Sequence, residues 1–142
     1  MSDLNDLYQQ VIIDHGRNPR NFGRLDQANH IKEGFNPLCG DRLTLYLLEK
    51  NGLVEDVSFE GSGCAISMAS ASLMTEALKG KTIAQAKECF DNFHDLLTNK
   101  NHSVAEKLGK LAVLAGVSEY PMRVKCATLC WHTMREGLGI GD

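Results

Sequence analysis

Leu43-Thr44-Leu45-Tyr46-Leu47-Leu48-Glu49-Lys50-Asn51-Gly52-Leu53-Val54-Glu55-Asp56-Val57-Ser58-Phe59 is the stretch that decides the fold. Leu43, Leu45 and Leu47 alternate with Thr44, Tyr46 and Leu48, the period-two pattern of a strand with one buried face. Asn51-Gly52 is a strong two-residue hairpin signal, because both residues tolerate the positive φ such a turn demands. Residues 54–59 then read as the returning strand. A two-stranded ribbon is marginal alone, so a third strand or a helical cover is expected, and the loop before residue 43 is placed to supply the strand.

The flanks supply helices. Leu4, Leu7, Tyr8, Val11 and Ile12 share one face at helical spacing, and the helix should fail by Asn18-Pro19. Residues 17–35 have little periodicity and much Asn and Gly, which predicts a long ordered loop. Residues 64–79 are rich in Ala, Ser and Met, a helix able to lie close against the sheet, with Gly80 as its C-terminal stop. Thr82 is an expected N-cap for a helix over 82–97. A break follows at 99–102. Residues 104–115 read as another helix closed by Gly116, and Pro121 precedes the last helix. Strands followed by consecutive helices predict one α+β domain over residues 1–142, a small antiparallel sheet of about three strands covered by helices.

Composition narrows the function. A chain of 142 residues with 43% hydrophobic content is long enough for a core. No apolar run approaches the ~20 residues of a membrane span. The opening Met1-Ser2-Asp3-Leu4-Asn5-Asp6 is acidic where a secretory leader is basic. A net charge of −3 without a basic stripe argues against a nucleic-acid partner. Five cysteines, odd in number and irregular in spacing, predict reduced thiols and a cytoplasmic location rather than a disulfide scaffold.

The chemistry concentrates at three cysteines and one aspartate. In Asn36-Pro37-Leu38-Cys39-Gly40-Asp41, Gly40 frees the turn to aim a thiol and a carboxylate inward together. Cys64 follows Gly61-Ser62-Gly63 at an expected helix start, where backbone N–H groups favour a thiolate. Cys126 lies early in the last helix. Three thiolates and a carboxylate form a tetrahedral set suited to Zn²⁺, and soft thiolates also suit iron–sulfur clusters. Cysteine positions alone leave a second reading open, in which these are buried structural thiols.

Three motifs in register decide between the two readings. Cys39-Gly40-Asp41, Gly61-Ser62-Gly63-Cys64-Ala65-Ile66-Ser67 and Arg123-Val124-Lys125-Cys126-Ala127-Thr128-Leu129 resemble the IscU/SufU/NifU N-terminal family of iron–sulfur cluster assembly proteins across nearly the whole chain. Two details resemble the SufU type. Lys125 stands where IscU-type proteins carry His, and the segment between Cys64 and Cys126 is longer, with extra helix near 82–102. Tyr120-Pro121-Met122-Arg123-Val124-Lys125 also replaces the patch by which IscU proteins engage a chaperone.

The resemblance implies a zinc-bound acceptor that takes persulfide sulfur from a cysteine desulfurase of the SufS type. Its alternative is a non-enzymatic scaffold for a nascent cluster, passed on to downstream iron–sulfur acceptors. Cys39, Asp41, Cys64 and Cys126 are the expected ligands. Cys39, on a loop, is the expected persulfide acceptor. Arg42, Arg123 and Lys125, if near the site, would moderate its negative charge, and Cys130, four residues past Cys126, is an accessory candidate whose other reading is a packed thiol. A cysteine hydrolase is disfavoured, because no histidine is placed as its base. Cys89, His94, His102 and His132 read as structural or exposed residues.

Overall fold

The computed structural model describes residues 3–140, with side chains from Gln9 onward. Helix α1 runs Asp3–Arg17, and strands β1 (His30–Asn36), β2 (Asp41–Lys50) and β3 (Leu53–Ser62) follow. Helices α2 (Ala65–Leu78), α3 (Ile83–Thr98), α4 (Ala105–Leu108) and α5 (Pro121–Gly137) complete the chain, with 3₁₀ segments His102–Val104 and Gly109–Glu119 between α3 and α5. Of the residues expected on the inner face of α1, Leu4, Leu7 and Tyr8 have side chains outside the described set, whereas Ile12 is buried.

The sheet is antiparallel in the order β1-β2-β3. Asn51 and Gly52 both have positive φ, 53° and 79°, as a tight hairpin requires. The segment before β2 does provide the third strand: Lys32 faces Leu45, which faces Phe59 in turn. Alternation divides the faces. Leu43, Leu45, Leu47, Val57 and Phe59 are buried beneath the helices, while Arg42 is exposed on the other side.

Two close approaches set the position of α5. A Cβ on Gly34 of β1 would overlap the Thr133 hydroxyl, so the helix crosses the sheet where no side chain intervenes. On the other side α2 presents Ser70, whose hydroxyl donates to the Ala127 carbonyl at 2.6 Å and accepts the Trp131 indole N–H at 3.2 Å. Trp131 is 1% exposed and stacks on Phe93 of α3, with ring centres 4.7 Å apart. The small residues of α2 thus serve a helix junction as well as the expected contact with the sheet.

Thr82 caps α3 in a full capping box with Gln85. The helix expected over 104–115 differs. Gly109, at φ 56°, ends α4 after Leu108, and the chain continues as 3₁₀ turns to Glu119. Leu111, Leu114 and Val117 are still buried there, so the apolar spacing serves the core without an α-helix.

Candidate metal centre

The β1–β2 turn carries the first thiol. Asn36 ends β1, and its carbonyl accepts the Gly40 N–H at 2.8 Å, closing a turn that exposes Cys39. Gly40 has φ 72°, a conformation that a side chain would strain. The chain then enters β2 at Asp41, which is 0% exposed.

Asp41 reaches beneath the start of α2. One carboxylate oxygen accepts the Cys64 backbone N–H at 2.9 Å. The other, Oδ2, is buried without a hydrogen-bond partner. Gly63 makes room, since a Cβ there would collide with the carboxylate. Cys64 is the N-cap of α2, and its sulfur accepts the Ser67 N–H at 3.4 Å. That is the helix-start position expected from sequence, with a backbone donor aimed at the sulfur.

Cys126 arrives on the first turns of α5, 3% exposed, with its sulfur 3.0 Å from that of Cys39. Ligand atoms of Cys39, Asp41 and Cys126 all lie within 4.8 Å of one another. Burial, then the close approach of Cys39, Asp41 and Cys64, pushes the Cys126 thiol far above its ordinary range. A group so placed resists carrying charge alone. The donor set fits a divalent cation on two counts: two soft sulfurs, Cys39 and Cys126, converge with one carboxylate, and that carboxylate keeps a buried oxygen without a partner. Cys64 stands at the rim, its sulfur beside Cys126 and exposed.

An open cleft of about 510 Å³ spreads from the cluster, lined by Cys39, Cys64, Cys126 and Arg123 and floored by apolar Ile12 and Ile66. Ile13, Leu38, Tyr120 and Met122 are exposed large hydrophobics, and Ile13 and Met122 line this cleft. Arg123 stacks over Tyr120 at 5.1 Å. Lys125 is exposed, one residue before Cys126.

Two expectations need correction. Arg42 does not reach the cluster; strand alternation turns it to the face opposite Asp41, where it stacks on Phe35 at 4.6 Å. Cys130 is not brought to the cleft either. One helical turn beyond Cys126 it is 1% exposed, 3.6 Å from the Ser70 hydroxyl, and burial pushes its thiol up to about 12. Cys89 is half-buried in α3 with its thiol raised by burial to about 11. His94 and His132 pack on Phe90 rather than joining a donor cluster. Sequence reasoning gave no role to Asn36 or Gly63, although both flank the motif residues.

An α+β domain that gathers two thiols and a buried carboxylate at one end of a small sheet, with a third thiol at the rim, defines a class of small proteins with a thiol-rich candidate metal centre. The chain belongs to the NifU-like N-terminal domain family, which matches residues 7–127. It is 45% identical over 137 residues to the zinc-dependent sulfurtransferase SufU of Bacillus subtilis, covering 96% of this chain and 92% of the relative. It is 37% identical over 138 residues to the iron–sulfur cluster assembly scaffold protein IscU of Streptococcus pyogenes, covering 97% and 86%. A crystal structure from Fervidobacterium islandicum, described as an iron–sulfur cluster assembly scaffold protein for the SUF system, superposes with a TM-score of 0.85 at 38% identity, covering 94% of this chain and 98% of that one.

Proposed function

We propose that this chain works in iron–sulfur cluster assembly as a zinc-bound sulfur acceptor, with Cys39, Asp41, Cys64 and Cys126 holding the metal. The observation that carries this reading is the partnerless buried oxygen of Asp41, a residue clustered with the Cys39 and Cys126 thiols, in a chain 45% identical to a zinc-dependent sulfurtransferase. Zinc would keep the cysteine sulfurs deprotonated at neutral pH, which burial otherwise opposes at Cys126.

Cys39 is the acceptor in this proposal, because it is exposed on a turn while Cys126 is fixed and buried in α5. The Cys39 thiolate attacks the terminal sulfur of a persulfide on a SufS-type cysteine desulfurase. The S–S bond in the donor breaks, a new one forms to Cys39, and the donor cysteine leaves as a thiolate. Arg123, lining the same cleft, offers charge to the transferred sulfur, and Lys125 adds to the positive potential near it. The apolar rim of Ile13 and Met122 is the surface the desulfurase covers. Downstream iron–sulfur acceptors and a cytoplasmic setting belong to the same proposal, since the chemistry requires reduced thiols.

The second reading is a scaffold for a nascent cluster on the same ligands, favoured by the likeness to IscU scaffold proteins. Metal analysis of the purified protein separates the two: stoichiometric zinc supports the first, a visible iron–sulfur chromophore the second. The acceptor is tested by sulfide-release kinetics with a cysteine desulfurase and mass spectrometry of the trapped adduct. Cys39→Ser should lose stimulation far more completely than partner binding. An added sulfur on Cys126, with Cys39 unmodified, would move the acceptor to α5.

A further inference from the structure

Asn36 stands between two of the four candidate ligands without being one of them. It is the last residue of β1, 7% exposed, and pairs across the ladder with Asp41. Its side-chain oxygen accepts the Leu38 N–H at 3.2 Å, and its main-chain oxygen accepts the Gly40 N–H at 2.8 Å. Those bonds bracket Cys39. The Leu38 N–H can only donate, so the carboxamide oxygen must face it, and the NH₂ is left pointing the other way. There it meets the Cys126 sulfur, with Nδ2 and Sγ 3.9 Å apart.

We infer that Asn36 is a positioning residue of the metal centre, tying the Cys39 turn to the Cys126 sulfur and supplying that sulfur with an N–H donor. The inference rests on the zinc reading above. Three thiolates and a carboxylate around a divalent cation carry a formal charge near −2, and N–H donors to sulfur disperse it. Ser67 does this for Cys64 through its backbone N–H. Asn36 does it for Cys126 through a side chain, because Cys126 lies within α5 and not at its N-cap. The same carboxamide links the turn that carries Cys39 to α5, so the two sulfurs stay in register. Cys39 then has a fixed place to return to after each transfer.

The first test uses wild-type protein loaded with ¹¹³Cd. A scalar coupling from the metal through Sγ to an Asn36 Nδ2 proton is the expected result. Its absence at cadmium saturation overturns the inference. The second test compares zinc affinity of wild type, Asn36→Ser and Asn36→Asp by chelator competition. Asp keeps an acceptor for Leu38 but sets an oxygen against the sulfur; Ser keeps a shorter acceptor that cannot reach Cys126. Asn36→Asp should weaken zinc by about 10-fold or more, with Asn36→Ser between it and wild type. Asn36→Asp holding zinc as tightly as wild type overturns the inference while leaving the zinc reading intact. A wild-type chain that takes up neither zinc nor cadmium overturns both. Should Asn36→Asp fail to fold, the wild-type cadmium coupling decides alone.

Discussion

Asp41 and Cys64, 23 residues apart, are locked together by a 2.9 Å bond from the Cys64 backbone N–H to one oxygen of the buried carboxylate. That bond uses half of Asp41 to fix the end of α2 and leaves the other oxygen, Oδ2, without a partner. One side chain therefore joins strand to helix and offers a ligand.

Asp41→Asn separates the two roles. The retained oxygen still accepts the Cys64 N–H, while the amide removes a buried charged oxygen that lacks a partner. The metal-free variant should melt no lower than metal-free wild type, and the zinc-loaded variant should melt below zinc-loaded wild type. Asp41→Ala, which strands the Cys64 N–H, should cost about 1–3 kcal/mol in the metal-free state and loosen zinc without abolishing it. Calorimetric melting with and without zinc reads both. Equal zinc-dependent stabilisation in all three proteins would remove Asp41 from the ligand set.

Cys64 also does two things, and its substitutions should divide them. Serine is a good N-cap, so Cys64→Ser keeps the bond from the Ser67 N–H while discarding the soft ligand. Its zinc content should collapse with the helix end intact. Cys64→Ala should lose zinc and a further ~1 kcal/mol of metal-free stability. Full zinc in purified Cys64→Ser would show that the cluster closes without this thiol.

Cys130→Ala should do neither. Its sulfur packs against Ser70 inside the α2–α5 junction, so removal leaves a small void worth about 1 kcal/mol. Zinc content and sulfur acceptance should match wild type. A drop in sulfur transfer without a drop in melting temperature would return Cys130 to the site.

His15 makes the fold acid-sensitive. Its ring is 0% exposed, with Nδ1 2.7 Å from the Ser72 hydroxyl and Nε2 3.7 Å from the Glu76 carboxylate. Burial, followed by the positive charges of Lys110 and Arg20, holds the folded pKa below the ordinary 6.5. As pH falls through 6.5, the unfolded chain takes up the proton before the folded one does, so stability declines. His132, also lowered mainly by burial, adds a decline of the same sign. His15→Gln should flatten part of the slope between neutral pH and the carboxylate range. Denaturant midpoints across that window check it, and an unchanged slope would place the acid sensitivity elsewhere.

Local chemistry made much of this legible from sequence. The Asn51-Gly52 turn and the Thr82 cap are decided by residues adjacent in the chain, and both form as their chemistry requires. Other features depend on partners far away. The 104–115 stretch has helical apolar spacing, but Gly109 adopts a positive φ and the packing of Leu111, Leu114 and Val117 holds a tighter winding. Cys130 shares a helix face with Cys126, yet one turn carries it from the cleft into the junction with α2. Arg42 was legible in principle, since adjacent strand residues point to opposite faces. Asn36 and Gly63 acquire their roles only when Cys126 and Asp41 arrive from elsewhere in the fold.

Trp131 is the chain's single tryptophan, and its place between Ser70 and Phe93 makes it an internal optical probe. An indole shielded from water and held by one hydrogen bond should emit at short wavelength and resist external quenchers. Docking at the cleft leaves that environment untouched, whereas loosening α5 from α2 exposes it. Emission colour therefore distinguishes a protein that has bound a partner from one that has begun to come apart, without any label.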